Sequence, residues 1–365
     1  MENVKKVIAQ TFLDIASGLE TGSFGSAKIG VKVTSTELGM EEMEHAVKLA
    51  ASRGVQSVMV DSVEELDKML DSGEIDGSVA MSYNFPIGVA TVGKVITPAK
   101  GRIMYIATTT GTSDTDRVAG MVKNAIYGII AAKADGIENP TVGILNIDGA
   151  RKVEMALIEL QKAGYPINFA ASNRSDVGAI LRGNDVLNNP CDIVVCDSLT
   201  GNVLMKLLSA YTTGGNYESL GFGYGPGIGE NFDRLVLIVS RASGAPVVAG
   251  AMEYAASLVK GNWGKIAKAE FAAAKKAGLS GILAKLTAKA APSGDAPPAE
   301  PPKEITTAEI SGIEITDLDD AVHALWRAGI YAQSGMGCTG PVVQVNEAKL
   351  EAATKIVVEK GFVAE

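Results

Sequence analysis

From Lys28 to about Gly261, short apolar runs alternate with longer stretches in which apolar positions recur every three or four residues. The runs Lys28 to Val33, Val55 to Val60, Asp76 to Met81, Arg102 to Thr108, Thr141 to Ile147, Asp192 to Asp197 and Arg234 to Ser240 are strand-length and rich in β-branched residues, as in strands buried on both faces. The intervening stretches read as helices. Ser62 followed by Glu65 forms a capping box for a helix to about Leu70, and Val153, Leu157 and Leu160 keep the helical period in a later crossover. This alternation predicts an α/β fold, a parallel sheet wrapped by helices on both faces. In such sheets ligands bind beyond the carboxyl ends of the strands.

The pattern changes after Trp263. An Ala- and Lys-rich helical stretch runs to about Thr287, and Ala288 to Glu304 then holds five of the chain's 13 prolines. Proline-rich chain is extended at roughly 3.1 Å per residue, so this segment reads as a semi-rigid linker reaching on the order of 50 Å. Residues 1–287 are therefore predicted to form the body and 305–365 a small α+β module. In that module EISGIEI is a strand, TDLDDAVHALWRAG a helix opened by Thr316 and Asp319, and YAQSG and VVQV two short strands. NEAKLEAATKIVVEKG is a helix capped by Asn346 and ended near Gly361.

Charge and composition narrow the class. A net charge of −9 with no basic stripe argues against nucleic acid, because clustered Lys and Arg supply most of that affinity. With no signal-peptide core and no apolar stretch of about 18 residues, a cytoplasmic protein without a membrane partner is predicted. Three cysteines make no disulfide framework. The 2 histidines, His45 and His323, lie on separate predicted helices without ligand spacing, so no metal site is expected. Cys191 and Cys196 lie five apart along one predicted strand, where such positions face opposite ways, and read as core thiols.

Cys338 is different. It stands in SGMGCTGP, in the loop between the module's two short strands, with Thr339 beside it. Gly335, Gly337 and Gly340 remove bulk around the sulfur, admit an acyl group, and leave backbone N–H groups to face an oxyanion. That pattern suits a thioester. No Lys, Arg or His lies within four residues to lower the thiol pKa, so activation must come from the loop amides or from elsewhere in the fold. A tight turn that happens to contain cysteine is the plain alternative.

In the body, DSLTGN stands where the Asp192 strand yields to a helix. Ser198, Thr200 and Asn202 thus come to a helix N-terminus, which attracts anions such as phosphate, or simply needs a cap. GFGYGPGIGEN packs five glycines into eleven residues without ever giving GxGxxG. Amides of Gly223, Gly225 and Gly227, with Ser198 and Asn202, are the expected phosphate or oxyanion donors, and Arg241 or Arg117 the expected positive charge. The hydroxyl-rich TTTGTSD, Thr108 to Asp114, is a further candidate loop. GVATVGK matches GxxxxGK, but Val95 replaces the magnesium-binding hydroxyl and Pro98 blocks the helix, so it is read as coincidence.

The run from DSLTGNVLMK through GFGYGPGIGEN to SRASGAPVVAG resembles the phosphate acyltransferase superfamily, which includes the PlsX-like acyltransferases and the phosphotransacetylases. That resemblance implies a phosphate and acyl site lined by Asp197, Asn202, Gly244, Ala245 and Pro246; Ser198 and Ser243 stand where the superfamily patterns have glycine. The tail GMGCTGPVVQVNEAKLEAA resembles the alpha subunits of glycine/sarcosine/betaine reductase component C. Such subunits imply a carboxymethyl group delivered on the selenium of selenoprotein A, a beta subunit as partner, an acetyl thioester on the residue matching Cys338, and acetyl phosphate released by inorganic phosphate. Phosphate is then a substrate, no cofactor is implied, and an oligomer is expected. The layout predicts a tethered module that carries its acyl group to the body; permanent docking is the alternative. An ordinary acyltransferase using acyl carrier protein or coenzyme A, and a non-catalytic assembly subunit, are the competing functions.

Overall fold

The computed structural model describes residues 27–32, 39–170, 178–188, 190–288, 298–314, 317–337 and 340–363, with only the backbone described at 336, 337 and 340. In chain order the body's strands are β1 (Lys28–Lys32), β2 (Gln56–Met59), β3 (Gly77–Ala80), β4 (Val89–Ile96), β5 (Ile103–Thr112), β6 (Thr141–Leu145), β7 (Asn168–Phe169), β8 (Ile180–Leu181), β9 (Ile193–Val195), β10 (Gly225–Ile228) and β11 (Val236–Ile238). They form one sheet in the order β2-β1-β3-β11-β10-β4-β5-β9-β6-β7, with β8 also on β6. The fold is α/β with a mostly parallel sheet. β2, β1, β3 and β11 are mutually parallel, as are β5, β9, β6, β7 and β8.

All seven sequence-predicted strands are present, six of them shortened and β5 extended to Thr112; the two-residue β7 and β8 are additions, and so are β4 and β10. Both run antiparallel to neighbours, β4 to β5 and β10, and β10 to β11. The two parallel halves consequently point in opposite directions. β4 was hidden in the GVATVGK stretch. Its Lys94 pairs with Asp135 at 2.5 Å in the protein interior, beneath the Phe222 and Tyr254 rings.

Helices cover both faces. The helix Val63–Ser72 is capped as predicted, the Ser62 hydroxyl accepting from the Glu65 amide at 3.1 Å. The helix Arg117–Ala134 is almost wholly buried because it is built from Ala, Gly and aliphatic residues that let it lie close on β5 and β9. An added Cβ at its Gly128 would come within 2.5 Å of Ile193. Val153, Leu157 and Leu160 are all buried on the helix Ala150–Lys162. Cys191 and Cys196 are buried as expected, but they share one core cluster, since Cys191 precedes β9 and escapes strand alternation.

The C-terminal residues form a three-stranded antiparallel sheet, β12 (Ala308–Ser311), β14 (Gly340–Val345) and β13 (Ala332–Gly337), under the helices Leu318–Arg327 and Leu350–Glu359. Asn346 caps the 3-10 turn that precedes the last helix, by accepting from the Ala348 amide at 3.0 Å. Asp317 occupies the N-cap position of the Leu318 helix. Thr316 lies outside the described residues.

Candidate functional site

The carboxyl ends of β6 and β9 lie side by side, level with Ala107 of β5, and DSLTGN builds the junction there. Asp197 caps the helix Ser198–Ala210, its Oδ1 accepting from the Thr200 amide at 2.9 Å and its Oδ2 from the Thr200 hydroxyl at 2.8 Å. Gly201 is demanded by packing. A Cβ there would stand 1.8 Å from the Thr108 carbonyl oxygen, so only glycine lets this helix rest on β5. Asn202 completes the joint by donating from Nδ2 to the Thr109 carbonyl at 3.0 Å. Thr109 in turn bonds Thr91 at 2.7 Å and donates to the Tyr224 carbonyl at 2.7 Å, linking β5 to β4 and to the chain entering β10.

Arg117 joins this junction to β6. It donates from Nη2 to Asp197 Oδ2 at 3.0 Å, and from Nη1 to the Asp148 carbonyl at 2.8 Å and the Asp148 carboxylate at 3.1 Å. Partial burial by itself would raise the Asp197 carboxyl, but the bonds from Thr200 and from Arg117 outweigh it and hold the group below the usual carboxylate range. The cluster is a guanidinium held between two carboxylates. Asp148 was not singled out from sequence, although its place just beyond a predicted strand was the available signal.

The other predicted site residues divide from this cluster. Arg241, Gly244, Ala245 and Pro246 follow β11, which runs opposite to β9, so they leave the sheet in the opposite direction from Asp197, Ser198, Thr200 and Asn202. Arg241 is exposed in a turn. The amide of Ala245 is taken by Glu42 Oε1 at 2.8 Å, and that of Gly244 by the Glu218 carbonyl at 2.9 Å. Beside them Glu218, only 2% exposed, accepts from Tyr224 and from Ser243, each at 2.7 Å.

Gly223, Gly225 and Gly227 form no open cradle. All three are buried in or just before β10, where close packing explains them: a Cβ at Gly225 would meet the Val92 carbonyl of β4 at 1.7 Å, and one at Gly227 the Phe85 ring at 2.3 Å. In the module, Gly335 sits in β13 opposite Val342, and Gly337 pairs with Gly340 across the hairpin. Cys338 and Thr339 lie outside the described residues. Among the described residues no group of three His, Cys, Asp or Glu side chains could hold a metal ion, and no helix is long and apolar enough to cross a membrane.

A family model described as fatty acid synthesis protein matches residues 30–344. The alpha subunit of the glycine/sarcosine/betaine reductase complex component C of Peptoclostridium acidaminophilum is 52% identical over 387 aligned residues, covering 100% of both chains. A phosphate acyltransferase of Brevibacillus brevis is 38% identical over 87 residues, 24% of each chain. One from Bacillus cereus is 27% identical over 195 residues, 49% of this chain and 55% of its own.

Proposed function

The chain belongs to the fatty acid synthesis protein family, and on that premise we propose that it is the phosphate acyltransferase subunit of a glycine/sarcosine/betaine reductase component C, with Cys338 as the acyl carrier. The observation that carries this reading is the extent of the component C relative. Its alignment, 52% identical as a whole, covers the entire chain and so includes the cysteine-bearing module, whereas the phosphate acyltransferase of Bacillus cereus matches 49% of the chain.

In this function the carbon–selenium bond of a carboxymethyl group on a selenoprotein partner breaks, its methylene is reduced to methyl while the selenium is oxidised to the selenenyl level and takes up the displaced carboxyl oxygen, and the acetyl group rests as a thioester on Cys338, with the beta subunit of the complex assisting. Inorganic phosphate attacks the thioester carbonyl, the carbon–sulfur bond breaks as the carbon–oxygen bond forms, and the sulfur leaves as thiolate to regain a proton. The product is acetyl phosphate. Thioester and acyl phosphate are both activated, so phosphorolysis keeps what hydrolysis would lose, and water must be kept from the carbonyl. Amides beside Cys338 serve the oxyanion. The Asp148–Arg117–Asp197 cluster, at the carboxyl ends of β6 and β9, is the body's acyl and phosphate region.

Cys338→Ala tests the reading. It abolishes acetyl phosphate formation if Cys338 is the carrier. Full activity in the variant would instead favour an ordinary acyltransferase using a soluble acyl donor, a reading that the phosphate acyltransferase relatives support.

A further inference from the structure

The described part of the C-terminal module has its own core, including Ile310, Leu325, Val343 and Val357, and it meets the body along the helix Ala150–Lys162. That helix begins at Gly149, which has no side chain with which to cap it. The cap comes from the module. Glu314, almost buried, accepts from the Gly149 amide through Oε2 at 3.1 Å and from the Arg151 amide through Oε1 at 2.7 Å. Next to it Asp317 pairs with Lys152 at 2.7 Å. Farther along, Met155 and Ile158 of the body line a groove with Val358 and Val363 of the module.

Two topological facts give this seam its meaning. In the small sheet both Ser311 and Gly335 are registered against Val342, so the chain that leaves β12 toward Glu314 heads for the end where residues 338–339 connect β13 to β14. On the body, Gly149 adjoins Asp148, which Arg117 links to Asp197. The carboxylate that fixes the module is thus bound one residue along the chain from the candidate site.

We propose that Glu314, with Asp317 beside it, is a positioning residue that seats the cysteine-bearing module at the Asp148–Arg117–Asp197 end of the body, so that acyl transfer to phosphate takes place in the docked arrangement. The inference rests on the thioester function proposed above. A carboxylate spanning two amides at a helix N-terminus fixes direction as well as distance, and the helix dipole favours the negative charge there. The Lys152–Asp317 pair adds a second point, which prevents rotation about the first. Reaction geometry is sensitive on this scale, since a shift of about 1 Å at the reacting atoms can cost on the order of 100-fold in rate.

The test uses the intact chain in its complex. Glu314→Ala should speed hydrogen exchange at the Gly149 and Arg151 amides and lower kcat for acetyl phosphate by about tenfold or more, with KM for phosphate unchanged. Lys152→Glu should lower kcat through charge repulsion, and adding Asp317→Lys should restore it, which a general loss of folding would not do. Unchanged exchange in Glu314→Ala would overturn the seat, and faster exchange with wild-type kcat would overturn its role in positioning. Failure of the thioester reading is visible separately, as full activity in Cys338→Ala, while the exchange measurement does not depend on that chemistry.

Discussion

Arg117 and Asp197 are joined by a 3.0 Å hydrogen-bonded ion pair that ties the helix after β5 to the helix after β9, and the same guanidinium also holds Asp148 beyond β6. Asp197 therefore serves its own helix and the sheet junction at once. Asp197→Asn keeps a cap acceptor but loses the charge, and should destabilise the protein by about 1–2 kcal/mol at neutral pH in denaturant titrations. Because the folded carboxyl lies below its unfolded value, the wild type's advantage is present above about pH 4 and is lost as pH falls through the depressed folded value. A stability difference that stayed constant down to strongly acidic pH would contradict this assignment.

Gly201 is set by contact with its neighbours, since its φ is that of an ordinary helix residue. Any Cβ at this position would lie 1.8 Å from the Thr108 carbonyl oxygen, so Gly201→Ala must push the Ser198 helix off β5. The expected loss is at least about 2 kcal/mol, read from the urea midpoint, with activity reduced as Asn202 leaves the Thr109 carbonyl.

Lys94 and Asp135 form a buried pair at 2.5 Å that also takes the hydroxyls of Tyr105 and Ser257. Asp135→Ala strands the lysine charge in the core and should cost about 3–5 kcal/mol. Replacing both partners by apolar residues should cost less than the single change, a comparison that thermal unfolding can make.

Burial pushes the Cys191 thiol up to about 12 and the Cys196 thiol higher still. Neither forms much thiolate at neutral pH. Iodoacetamide applied to the native protein should leave both unmodified, and label them only after unfolding, as peptide mass spectrometry would report.

Much of the fold was legible because buried parallel strands such as Ile193–Val195 are continuous apolar runs between helices of plain 3.6 periodicity. β4 and β10 were not, since Gly93, Gly225 and Gly227 interrupt the apolar pattern to make room for the Met205 side chain, the Val92 carbonyl and the Phe85 ring. The same glycines imitated a phosphate loop. At the candidate site, Asp197, Thr200 and Asn202 were readable from DSLTGN because capping and strand-end position are local properties. The division between Asp197 and Gly244 was hidden, because it depends on the opposite directions of β9 and β11, which the unpredicted antiparallel strands impose. Glu314 was hidden too, since it caps a helix 165 positions away in sequence from Gly149.

The central claim is tested most directly by following the acyl group itself. Complex turning over isotope-labelled substrate is quenched in acid, digested, and the peptide containing Cys338 is weighed. A labelled acetyl adduct is expected on that peptide, discharged when inorganic phosphate is added and matched by labelled acetyl phosphate. A peptide that stays unmodified while acetyl phosphate accumulates would contradict that claim.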